Sequence, residues 1–384
     1  MYTKDHQHHI EKVCQMKEKL QGIYVHLIIK SIAVSMVSIF VPIQLLELGF
    51  SLSQVFAFLL VQWGFFALLS PLSGAIISRL GIKEVILLRT PILVGALVYL
   101  GMMPTSDVML SMYFIPALLL GLSSSLYTLS ISSLFAEFMS EKSEGSETSK
   151  FIALPTVGTI IGPIVGGWIV LTFGFATLYT AVSIVLISSV IPLAFVKGNV
   201  DHPNFRTAEF KKYFKTHRKM FFMLNLYGIK GFVFFMVLPI ALYLNSDNVL
   251  SLGATMSVLT LFNVYYTFKV GRTVDRKGKR SVLRIGALCT FVALLALGLA
   301  INSMLLIYLS IIASGIKVLL DVPFESIVFD DAKKSESPLE YLAFKEFSFF
   351  FGRVLLFAGL ILFANSIQYA FYAASISTLP ILFL

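Results

Sequence analysis

Ionisable side chains sit within apolar runs long enough to cross a bilayer, among them Lys30 with His26 one turn below it, Lys230, Lys317, Asp321, Glu325 and Arg353. A charge at membrane depth is costly, so it faces a cavity, a partner of opposite sign or something that passes through. Lys317, Asp321 and Glu325 recur at every fourth residue and therefore share one face of a helix. Cations there offer electrostatic capture of an anion, while Asp321 and Glu325 are the candidate protonation sites. Pairing is the plainer alternative, with Lys317 neutralised by Asp321, Arg353 by Glu325, and Lys30 snorkelling to the surface. Glu346, in "KEFSFFFGR", reads as surface solvation more readily than as gating. Covalent catalysis has no such support. There is no G-x-S-x-G, no H-E-x-x-H and no paired metal-ligand cluster on the apolar runs, and the serines of "GLSSSLY" lack a base. No enzyme activity, metal or cofactor is expected. "HQHH" (His6, His8, His9) reads as a solvated tail.

The elements that carry these charges follow from composition. Of 384 residues, 57% are hydrophobic and 13% charged, with mean hydropathy +0.86, which only lipid can solvate. We read twelve spans, over 23–46, 53–77, 84–103, 108–136, 151–173, 175–196, 220–244, 250–270, 281–301, 303–329, 341–363 and 366–384. Lys and Arg crowd the N-terminal tail and alternate loops, and the six opposite loops hold none, so both termini are expected in the cytoplasm of a plasma (inner) membrane. The net charge of +9 is thus a topology signal and a contact for lipid headgroups, with no nucleic-acid motif beside it. The domain reading is a tail over 1–22 with an interfacial helix at 10–20, a bundle over 23–196, a cytoplasmic linker over 197–219 and a bundle over 220–384. Cys14 and Cys289 imply no disulfide framework, and the polar start is unlike a cleaved signal peptide. At 1.5 Å per residue, Lys230 lies about 15 Å along the seventh span, near the midplane.

A shift of 197 residues aligns the halves without a gap through two spans. Pro42 falls on Pro239, Phe65 on Phe262, Gly74 on Gly271, Arg79 on Arg276, Gly81 on Gly278 and Lys83 on Arg280. Two equivalent six-helix units are the sequence form of a parallel-repeat transporter. The hinge "GRTVDRKGKR" resembles the G-x-x-x-D-R-x-G-[RK]-[RK] motif of the major facilitator superfamily of secondary transporters, matched at Gly271, Asp275, Arg276, Gly278, Lys279 and Arg280. The first half keeps Gly74, Arg79, Gly81 and Lys83 but has Ser78 in place of the acid. "GTIIGPIVGG", with Gly158, Gly162, Pro163, Gly166 and Gly167, resembles the fifth-span element of the family's exporters, although Ser149 stands where a further glycine belongs. The family's R-x-x-Q-G is absent from the fourth span.

The resemblance implies an all-α membrane fold of two pseudo-twofold bundles, whose first, fourth, seventh and tenth spans line a central cavity. It implies gating by the two hinges, with Asp275 latching near Ser149 to Phe151. Lys30, Lys230, Lys317, Asp321 and Glu325 are then the candidate substrate contacts. The expected function is secondary transport of a small organic solute by a monomer, using a coupling proton or ion. Export by gradient-driven antiport is preferred on the fifth-span element. Uptake or exchange of an organic anion through Lys30 and Lys230 is the second reading, and a non-transporting receptor or lipid scramblase the third.

Overall fold

Short local signals set where the helices begin and end. The Ser51 hydroxyl accepts from the Gln54 N–H while Gln54 Oε1 accepts from the Ser51 N–H, a reciprocal cap that opens the second span. The Asn248 side chain caps the eighth span by accepting from the Ser251 N–H at 2.9 Å. Gly81 (φ 95°, ψ 156°), Gly174 (φ 83°, ψ 171°) and Gly278 (φ 81°, ψ 146°) turn the chain in a backbone region that strains any residue with a Cβ. Gly81 and Gly278 adopt nearly the same angles at equivalent repeat positions.

The computed structural model describes residues 22, 24–104, 110–138, 144–194, 204–246, 248–363 and 366–384, without the side chains of 110–112, 134–138, 144–155, 157 and 194. The tail helix expected at 10–20, Cys14 and the three tail histidines lie outside the described residues. All the elements described are helices. They are α1 (Tyr24–Glu47), α2 (Leu52–Leu68 and Ser70–Leu80, bent by 49°), α3 (Ile82–Gly101) and α4 (Leu110–Phe138). The run Glu144–Ala194 divides at Gly174 into α5 (144–173) and α6 (175–194). The polar segment between the halves holds α7 (Thr207–Thr216). Then come α8 (Arg218–Ser246), α9 (Val249–Lys277), α10 (Lys279–Leu299), α11 (Leu305–Lys334), α12 (Pro338–Leu362) and α13 (Gln368–Thr378).

Among the described residues, eight helices are long and apolar enough to cross a membrane, or nine with the bent pair of α2. The other spans escape that count for physical reasons. α5 and α6 run on through Gly174 as one apolar stretch. α12 carries Lys345, Glu346 and Arg353, and α13 has only 11 residues. The chain is an integral, multi-pass membrane protein, and its twelve spanning segments form the two six-helix bundles expected.

Two breaks in the helices position the site. Proline has no N–H for the carbonyl four residues before it. Pro42 therefore leaves α1 with a turn at Ser38 and Ile39, and Pro239 leaves α8 with a π-turn over Val233–Val237. Ser38 and Phe235, the residues four before each proline, are themselves repeat equivalents. Around these breaks α5 packs closely on its neighbours. A Cβ on Gly158 would meet the Ile28 carbonyl, one on Gly162 would meet Ser35, and one on Gly166 would meet the Met36 carbonyl, all on α1. Gly167 faces the Val249 carbonyl and Gly253 the Pro163 carbonyl, which joins α5 to α9 across the two halves. Ile164 N–H donates to Ser257 Oγ at 3.1 Å in the same seam.

Candidate functional site

The two proline breaks open onto a cavity in two lobes. The larger, about 340 Å³, lies between the halves and is lined by hydroxyls and amides of Ser31, Ser35, Ser38, Thr260 and Asn263, with Lys30 and Lys317 among them. The smaller, about 200 Å³, lies within the first half beside Gln62, Trp63, Arg89 and Tyr127. Lys30, Val34, Ser38 and Phe235 line both. Among the described residues, no Asp or Glu lines either lobe. A concave, mostly apolar pocket with a few converging polar groups is the usual form of a small-molecule site.

In the first half, α1 and α4 bring Lys30 Nζ to 4.0 Å from the centre of the Tyr127 ring. α3 places the Arg89 guanidinium 4.2 Å from the same ring. Two cations thus contact one aromatic ring, an arrangement attractive to each cation but without countercharge. Arg89 is buried, and one of its nitrogens lies 3.4 Å from Ser123 Oγ. Sequence reading passed over Arg89, although an arginine inside "VILLRTPILVGALVYL" was a visible signal. It lies inside the third span as read, about 12 Å of helix from Gly81.

In the second half, Lys230 is buried and bonded to Asp321, which also accepts from Tyr227 OH at 3.1 Å. Lys317 Nζ stands 3.6 Å from the other oxygen of Asp321, one turn away on α11. Tyr227 stacks on Phe324 with centroids 4.0 Å apart. That stack is the repeat equivalent of Lys30 on Tyr127, since Tyr227 follows Lys30, and Phe324 follows Tyr127, by 197 residues. The duplication therefore extends to the contact between the first and fourth helices of each half.

The remaining candidates separate. Lys30 and Lys317 line the cavity, whereas Lys230 and Asp321 lie behind its wall. Glu325 pairs with Lys345 at 2.8 Å rather than with Arg353. Arg353 is instead enclosed by Phe232 at 4.4 Å, Phe66 at 4.7 Å, Phe349 at 5.0 Å and Trp63 at 5.6 Å. Glu346 does not solvate the surface: it is buried, 3.8 Å from Lys345, because α12 packs its charged face inward against α2 and α11.

The hinges are helical almost to their ends. α9 continues to Lys277, leaving Gly278 alone to turn, with Asp275, Arg276 and Arg280 exposed and Lys279 bonded to Asp330. The expected partners of Asp275, Ser149 to Phe151, lie in α5, and their side chains are outside what is described. In the first half, Phe205 packs where a Cβ on Gly74 would be, and its N–H donates to Ser78 Oγ at 3.2 Å. The next N–H, that of Arg206, donates to Glu340 at the start of α12, 2.6 Å away. The polar segment before α7 thus bridges the first hinge to the eleventh span, at the position where the acid is missing.

Comparison with known proteins agrees with this architecture. No curated protein sequence matches the chain. Among solved structures, a POT family transporter in complex with a thioalcohol-conjugated peptide is similar over 95% of this chain and 94% of that one, with a TM-score of 0.74 at 12% identity. A D-xylose–proton symporter is similar over 97% of each chain, with a TM-score of 0.69 at 13% identity. A POT family transporter in complex with 5-aminolevulinic acid gives 0.74 at 12% identity, over 95% of this chain and 94% of that one. Likeness at such identities speaks to the fold alone. The sequence profile described as Major Facilitator Superfamily matches residues 23–338, most of the chain. The chain belongs to the Major Facilitator Superfamily.

Proposed function

We propose that this protein is a secondary transporter of small organic anions, working by alternating access of the cavity between its two halves. One observation carries the reading: the cavity walls bear Lys30, Arg89 and Lys317, with no carboxylate among the described lining residues. Lys30 belongs to the first half and Lys317 to the second, so an anion held between them favours approach of the two halves. Lys230 holds Asp321 in place behind that wall, and so positions Lys317 rather than touching substrate. The structural neighbours are two POT family transporters in complex with a thioalcohol-conjugated peptide and with 5-aminolevulinic acid, and a D-xylose–proton symporter. Molecules so different on one fold mean that substrate class must be argued from this chain's own side chains.

Export is the second reading, and the fifth-span glycines were its support. Each of them is accounted for by close packing of α5 on α1 and α9, which is needed whichever way the solute moves. Asp321 is the proposed proton-coupling group, being bonded to two lysines that line or back the cavity. The protein acts as a monomer in the plasma membrane with both termini cytoplasmic, its basic loops against anionic headgroups.

Purified protein in liposomes tests the anion reading by counterflow of radiolabelled lactate, benzoate and glycerol phosphate. At least one acid is expected to exchange saturably, with Lys317→Gln slowing it tenfold or more and its neutral amide not carried. Exchange confined to neutral or cationic solutes would sink the proposal.

A further inference from the structure

The smaller lobe is asymmetric between the halves in a way that symmetry does not explain. Its wall on α4 presents Ser124 and Thr128, which precede Asp321 and Glu325 by 197 residues. The first half therefore carries hydroxyls where the second carries carboxylates. Arg89 precedes Gly286 by the same 197 residues, and Gly286 is pressed against the backbone of Leu319 and Leu320. The second half closes this space by helix contact, and the first half fills its rim with a guanidinium.

The unpartnered polar atoms beside the lobe are also of one kind. Trp63 Nε1, Arg89 Nε, Arg89 Nη2 and the Tyr127 hydroxyl are buried with no hydrogen-bond partner among the described residues. All belong to side chains lining the lobe, and Arg89 is 3% exposed. Each is an N–H or O–H donor, and a buried donor left unpaired is destabilising. An indole, a guanidinium fork, a phenol and the neighbouring Lys30 ammonium together match a planar acceptor with two oxygens. The rest of the wall is mostly apolar, with Leu59, Leu93, Leu97 and Leu120, and adds the neutral polar groups of Ser38, Gln62, Ser124 and Thr128. A free phosphate leaves the leucine side of the lobe unfilled, so a carboxylate on an apolar body fits better.

Resting on the anion reading above, we infer that the first-half lobe is the acid-recognition subsite, taking the carboxylate of an organic acid between Arg89, Tyr127 and Lys30. The apolar ring or chain lies along the leucines, against Trp63. Arg89 contributes a two-pronged contact to the carboxylate, and the shared residue Lys30 passes the bound acid on to the lobe between the halves.

Trp63 reports on the lobe directly, because Trp168 is the only other tryptophan and lies half-exposed on α5. In the full chain carrying Trp168→Phe, bromine on a bound aryl acid quenches Trp63 emission at short range. 4-Bromobenzoate is expected to quench saturably, and 4-bromobenzamide at least tenfold more weakly. Arg89→Gln should raise the half-saturating concentration tenfold or more, and Arg89→Lys about half as far on a logarithmic scale, since it keeps charge and loses the fork. Size-exclusion profiles of both variants, with surface Lys212→Gln as control, separate lost binding from lost fold. Equal quenching by the amide, no quenching by the acid, displacement by inorganic phosphate, or wild-type binding in a folded Arg89→Gln protein would each overturn the subsite. Anion exchange that needs Lys317 but not Arg89 would overturn it while leaving the transporter reading standing. Exchange of no anion at all would overturn both.

Discussion

Lys230 shows how one residue's role changes once its neighbours are known. Its depth in the membrane made it a candidate for substrate contact, yet its ammonium is committed to Asp321 behind the cavity wall. Removing one member of a buried pair leaves the other charge uncompensated, whereas removing both relieves that cost. Lys230→Ala is expected to destabilise the protein by about 3 kcal/mol, the low end for such a loss, because Lys317 stays near Asp321. The double variant Lys230→Ala with Asp321→Ala should recover part of that loss. Thermal unfolding in detergent of the two single variants and the double closes the cycle. A double variant no more stable than the sum of the singles would show that the two groups do not interact.

Helix ends carry a different kind of constraint. Gly278 ends α9 at φ 81° and ψ 146°, a region that a side chain enters only with strain, although a Cβ there would meet nothing within 4 Å. Space is therefore not the issue there; backbone torsion is. Gly278→Ala should cost about 1–3 kcal/mol. Gly95, within α3, also has open space around it but ordinary helical torsion. Gly95→Ala is accordingly expected to be neutral or to stabilise by up to about 1 kcal/mol. Melting temperatures measured side by side test the contrast, which fails if the two substitutions act alike. The same scale explains the fifth span: glycine spacing was plain in the sequence, but whether it served packing or transport direction depended on α1 and α9 lying against it.

Across the whole molecule, the halves are tied at both ends. Near the polar segment, Phe205 sits on Gly74, while Ser78 and Glu340 hold the neighbouring N–H groups. At the other end, Tyr243 OH donates to Glu47 at 3.0 Å, and Ser53 Oγ donates to the Ile361 carbonyl at 3.2 Å. The proposed alternating access requires that these ties break in turn, which would let each weight one state over another. Phe205→Ala removes the ring that fills the Gly74 notch and is expected to favour separation at the linker end. Spin-label distances between α2 and α12 at that end should then broaden toward longer values, and distances unchanged from wild type would show that the strap bears no load. Tyr243→Phe should act oppositely, loosening the far end.

The sequence by itself determined the membrane, the twelve-helix order, the 197-residue duplication and the family, because each depends on periodic or local properties: apolar length, charge sidedness, prolines and turn glycines. It also exposed charges that mark the cavity, Lys30 and Lys317, although Arg89 was passed over. Tertiary structure alone decided which of those charges meet. Lys230 turned to Asp321, Lys345 took Glu325, and Arg353 entered an aromatic enclosure. Partner choice among buried charges depends on a few ångströms between helices distant in the chain, and no spacing along one helix encodes that distance.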